Sequence, residues 1–130
     1  MITRSVTVAK ILREYWKQIA DGRKQFELRD EEVSFNSQAF VFMDASTGEH
    51  LGNARIISCT TFGGYDSSAW NWNMLSKLTE VPVPELKKLF PVAAKHEAAP
   101  WEYEMNLYEI KPISDGELLR SLFANPPKTV

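Results

Sequence analysis

The periodicity of the chain switches at Asp21-Gly22, and that switch restricts the folds open to it. From Ala9 to Ala20 apolar residues recur at helical spacing, with Ile11, Leu12, Tyr15, Trp16 and Ile19 forming one broad stripe. Glycine at 22 takes the left-handed conformation that ends a helix without steric cost. Directly after it, Gln25-Phe26-Glu27-Leu28-Arg29 alternates with period two, which predicts a strand with Phe26 and Leu28 on one face and Glu27 and Arg29 on the other. A helix delivered straight into a short strand with a charged face calls for a mixed architecture.

The remaining elements follow the same logic. Ser5 to Val8 is a short β-prone start. Ala39 to Met43 and Leu51 to Phe62 flank the turn Ser46-Thr47-Gly48-Glu49 and predict a hairpin. Gly63-Gly64-Tyr65-Asp66 breaks the pattern; a helix over Trp70 to Leu78 is stopped by Pro82, and Pro84 opens a second through Phe90. Trp101, Tyr103, Met105 and Leu107 alternate with Glu102, Glu104 and Asn106 in a last strand running to Ile110. Ser114-Asp115-Gly116-Glu117 has the spacing of a capping box before Leu118, Leu119, Leu122 and Phe123. The order strand, helix, strand, hairpin, two helices, strand, helix predicts an α+β domain over residues 1–124, with a loose tail at 125–130. With only one strand-helix-strand unit, a small, mostly antiparallel barrel is favoured over a doubly wound sheet.

A length of 130 residues leaves no room for two independent cores. No apolar run approaches the roughly 18 residues of a membrane span, and the first residues lack the apolar stretch of a secretory signal, so a cytoplasmic location is expected. Cys59 is the sole cysteine, which excludes an internal disulfide and a cysteine-based zinc site; within Ile56-Ile57-Ser58-Cys59 it reads as a buried, inert thiol. His50 and His96 fall in expected loops without a spacing partner, so no metal site is expected, and nothing in the chain calls for a cofactor. The net charge of −2 argues against binding nucleic acid through bulk electrostatics. Yet Met1 to Arg29 holds seven basic and three acidic residues, +4, while the other 101 residues hold eight basic and fourteen acidic, −6. An anionic partner would be steered to the N-terminal end.

Gly22, Lys24, Glu27 and Arg29 stand in the register G-x-K-x-x-E-x-R after an amphipathic helix. This pattern resembles the signature of the ASCH domain family, whose members are similar in fold to PUA domains. Leu86-Lys87-Lys88-Leu89-Phe90-Pro91 is similar to the helical segment before the family's last strand, and Tyr103 to Glu109 to that strand. The resemblance spans roughly Ser5 to Lys111. It implies a barrel of about six strands with flanking helices, a cleft beside the first helix, and RNA or a modified nucleotide as partner.

Read as chemistry, Gly22, Arg23, Lys24, Glu27 and Arg29 are the candidate ligand-binding residues of this turn and strand: Lys24 supplies a mobile cation, Glu27 an acceptor for a base or sugar, and Arg29 a planar cation for a phosphate or ring. Glu27 and Arg29, roughly 7 Å apart along the backbone, would equally serve as a surface ion pair on a half-buried wall. Trp70 and Trp72 follow the glycine-rich break, and one of them offers a platform for a base.

The resemblance also implies two activities seen among relatives: ribonucleolytic cleavage and N4-acetylcytidine amide hydrolysis. For the latter, relatives use the motif lysine, a threonine three positions on and a downstream glutamate. Here Lys24 matches, Glu27 stands where the threonine would be, and Glu80 lies near the downstream position. A carboxylate beside Lys24 favours its charged form and opposes nucleophilic use unless burial lowers its pKa.

Overall fold

The structure is a computed structural model that describes residues 4–30, 33, 36–63, 70–95 and 103–123. Five strands and five helices occur among them: β1 (Ser5–Ile11), α1 (Arg13–Ala20), β2 (Phe26–Arg29), β3 (Ser37–Asp44), β4 (His50–Phe62), α2 (Trp72–Thr79), α3 (Val83–Leu89), α4 (Pro91–Lys95), β5 (Met105–Ile113) and α5 (Asp115–Phe123). His96, Trp101, Glu102 and the expected tail at 125–130 lie outside the described residues.

Two compact units share the chain. One comprises residues 1–22, 33–56 and 111–130, the other 23–32 and 57–110.

In the first unit β1 pairs with β3 in parallel from Val6↔Ala39 to Ile11↔Asp44, and β3 pairs antiparallel with β4 from Ala39↔Arg55 to Met43↔His50. Phe40 and Phe42, two apart on β3 and thus on one face, stack at 5.3 Å, and Phe42 meets Trp16 of α1 at 5.9 Å. Ala9, Ile11, Tyr15, Ile19, Ala39 and Ala54 complete this core. At Gly52 a side chain would collide outright: a Cβ there runs into the far edge of the Trp16 indole. The β3–β4 turn is tied by Asp44, whose Oδ1 accepts from the backbone N–H of Ser46 at 2.7 Å, and whose Oδ2 accepts from Arg13 Nε at 3.0 Å. Those turn N–H bonds first, and the guanidinium second, hold the Asp44 carboxyl below its ordinary range. The capping box is present: Glu117 N–H donates to Ser114 Oγ at 3.1 Å and Ser114 N–H to Glu117 Oε1 at 3.2 Å.

In the second unit β2 and β5 form an antiparallel ladder, Phe26↔Glu109, Glu27↔Tyr108, Leu28↔Leu107 and Arg29↔Asn106. Leu28, Leu75, Val81, Leu86, Met105, Leu107 and Ile110 are buried around it. Asn71 caps α2, its Oδ1 accepting from Met74 N–H at 3.1 Å.

Three expectations change. The strands join in the order β1-β3-β4-β5-β2, with β1 and β2 ending the series, so the described residues form a five-stranded sheet and not a closed six-stranded barrel. Residues Ala9 to Ile11 are strand, because parallel pairing with β3 wins over the helical stripe they begin. Cys59 is exposed, since residues Ile57 to Thr60 of β4 all face solvent, and its surroundings are not those of a core thiol. No described helix is long and apolar enough to cross a membrane.

Candidate functional site

The motif begins where α1 stops. Gly22 has φ +85° and donates its N–H to Ile19 O at 3.0 Å, closing the helix in the left-handed conformation anticipated for it. Arg23 is exposed; Lys24 turns inward and is 2% exposed. Its Nζ donates to the carbonyl of Thr79 at 2.9 Å, the last residue of α2, and lies 3.6 Å from Glu27 Oε1.

The ammonium therefore caps the carboxyl end of a helix, where its charge meets unsatisfied carbonyls and the negative end of the macrodipole. Lys24 is not the mobile cation expected from its place in a turn. Burial dominates its acid-base behaviour and pulls its pKa below the ordinary value, against the upward pull of Glu27 and, more weakly, Glu80.

Glu27 is also buried, with its second oxygen 3.9 Å from Arg29 Nη1. Arg29 is half-buried at the end of β2. Lys24, Glu27 and Arg29 thus form one line of alternating charge. Because Glu27 and Arg29 are two apart, they share a face of β2, and their ladder partners Tyr108 and Asn106 project from the same face of β5.

Asn106 was not singled out by the sequence, where it read as one polar residue in an alternating strand. It is 2% exposed; its Oδ1 accepts from Thr61 Oγ1 at 2.9 Å, while its Nδ2 is buried without a hydrogen-bond partner among the described residues. Beyond the ladder Tyr103 donates its hydroxyl to Asp30 Oδ2 at 2.7 Å, and burial, aided by that carboxylate, pushes its pKa up to about 12.

Glu80 follows the residue that holds Lys24. It is exposed and caps α2 with φ +62°, left-handed backbone that a side chain rarely adopts. The tryptophans do not form an open platform. Trp70 is buried with its Nε1 donating to Tyr103 O at 2.9 Å, and Trp72 is half-buried, edge-on to Trp70 at 4.8 Å. Among the described residues no group of histidine, cysteine and carboxylate side chains is placed to hold a metal ion.

No protein-family model matches the chain, and no curated protein matches it in sequence. Solved structures do match. The ASCH protein from Zymomonas mobilis aligns over 93% of this chain and 82% of its own, at 16% identity and a TM-score of 0.53. A hypothetical protein, PH0355, aligns over 84% of this chain and 100% of its own, at 16% identity and a TM-score of 0.54. EF3133 from Enterococcus faecalis V583, of family DUF984, aligns over 89% of this chain and 77% of its own, at 11% identity and a TM-score of 0.50. Identities this low speak to backbone architecture alone. The chain has the fold of the ASCH domains.

Proposed function

We propose that this domain binds RNA or a nucleotide on the face of β2 and β5 that carries Glu27, Arg29 and Asn106. The observation that supports the reading is the buried charge line ending in Arg29. Lys24 and Glu27 are committed to each other and to α2, so their role is to fix the position and charge of the strand end. Arg29 closes the line at partial exposure, with a carboxylate on one side and a buried amide across the ladder. A planar cation held in that way is suited to a phosphate oxygen pair or to stacking on a base. The +4 charge of residues 1–29 adds long-range attraction for a polyanion.

Binding of short single-stranded RNAs, followed by fluorescence anisotropy at fixed salt, tests this. Arg29→Met should abolish binding while the melting temperature moves little, since a partly exposed ion pair contributes about 1 kcal/mol or less. Unchanged RNA affinity in Arg29→Met, or loss of folding to the same degree as loss of binding, would refute the reading.

One observation favours a second reading, an RNA-directed hydrolase that uses Lys24. Burial lowers the lysine pKa, as a nucleophilic or basic amine requires. Its Nζ is bonded to Thr79 O, however, and would have to leave a helix cap to react. This reading requires turnover of N4-acetylcytidine or single-stranded RNA by the wild-type chain that vanishes in a folded Lys24→Arg variant.

A further inference from the structure

The Nδ2 of Asn106, without a partner among the described residues, is the feature that the motif does not account for. Buried polar groups are almost always hydrogen-bonded, and a buried donor left without a partner costs free energy in the absence of a ligand or water. Thr61 Oγ1 lies 2.9 Å from the Oδ1 end of the Asn106 amide, and the Nδ2 end lies on the opposite side. Directly across the ladder stands Arg29, on the same sheet face and partly exposed.

We infer that Asn106 is the residue that reads the base of the bound nucleotide: its Nδ2 donates to a carbonyl or ring-nitrogen acceptor on the base, while Arg29 swings toward the adjoining phosphate and opens the space beside it. This assignment rests on the nucleotide-binding reading above. It divides the labour on the face, since phosphate contacts position a nucleic acid and base contacts specify it. Asparagine often grips adenine with both ends of its amide; here Thr61 engages one end, so a single end is left for the base.

The test uses Asn106→Leu, nearly the same in size, in the full chain. Equilibrium binding to ten-nucleotide homopolymers of A, C, G and U is measured at one salt concentration for the wild type and the variant, together with melting temperature. Because the substitution deletes a donor that has no partner in the free protein, and Thr61 is half-exposed to water, the melting temperature should hold or rise. The wild type should prefer one homopolymer by about tenfold or more. In the variant that preference should collapse toward unity while affinity for the weakest homopolymer persists.

A variant that keeps the wild-type preference, or a wild type that binds all four equally, overturns the inference and leaves the binding reading standing. A drop of several degrees in melting temperature also overturns it, by showing that the amide is satisfied internally through water. Absence of binding to any homopolymer by the wild type fells the nucleotide reading itself, and this assignment with it.

Discussion

Replacing Lys24 with methionine probes whether the motif is built to hold a buried charge. The substitution keeps the length of the side chain and removes the ammonium. Truncating one partner of a buried ion pair typically costs about 3 to 5 kcal/mol, because the other charge is left stranded. Two features reduce that here. Glu27 retains Arg29 at 3.9 Å, and the lysine no longer has to be desolvated, the effect that dominates its lowered pKa. Against them stands the loss of a charged donor to Thr79 O at 2.9 Å. A net loss of about 2 kcal/mol follows, which in a domain of this size lowers the melting temperature by roughly 6 to 8 °C.

Thermal unfolding as a function of pH supplies a second, independent signature. The folded chain binds the Lys24 proton more weakly than the unfolded chain, whose lysine titrates near its ordinary 10.5. Between the lowered value and 10.5 the unfolded state therefore carries more protons, and the stability conferred by this residue increases with pH. Below the lowered value the contribution is absent. Methionine has no such term, so the stability of wild type minus variant should grow as pH is raised through the lowered value toward 10.5. Tyr103, which keeps its proton to about 12 when folded, works in the opposite sense above pH 10, but it is common to both chains and cancels in the difference. A variant as stable as the wild type, or a difference that does not change with pH, refutes the reasoning.

Further predictions concern the backbone. Gly52→Ala should cost about 1 to 3 kcal/mol through overpacking against Trp16, and a double-mutant cycle with Trp16→Leu should recover a large part of it in chemical denaturation; simple additivity of the two changes would deny the contact. Glu80→Gly should raise stability by roughly 1 kcal/mol by relieving the left-handed residue that ends α2, and a lower unfolding midpoint would show that the glutamate's interactions outweigh its strain.

What the sequence reveals is governed by range along the chain. Gly22, the hairpin around Ser46 to Glu49 and the Ser114–Glu117 box are local devices whose chemistry lies within a few residues, and each is found in place. Strand β1 is different. Its residues Ala9 to Ile11 carry a helical period that leads into α1, and only the parallel partner at residues 42–44 makes them strand. The sequence carries the helix opened at Pro84 only through Phe90, whereas Pro91 opens the further short helix α4 directly after it.

At the candidate site, the motif residues were legible by their spacing, but their surroundings were not. Burial of Lys24 depends on Thr79, 55 positions later, and the partnering of Arg29 with Asn106 depends on the β2–β5 register. Alternation also implied that Glu27 would lie on an open charged face. In the structure Glu27, Asn106 and Tyr108 are buried on that face, and Arg29 keeps partial exposure at its end. Cys59 shows the reverse error, since apolar neighbours in sequence do not ensure cover in space.

The bond between Lys24 and the Thr79 carbonyl couples the order of two distant stretches of chain. The final turn of α2 lacks one of its terminal partners until residue 24 arrives, so motif and helix end gain or lose rigidity together. Any guest that steadies Arg29 and Glu27 would thereby slow amide exchange at the carboxyl end of α2, giving a reporter of occupancy at residues the guest never touches.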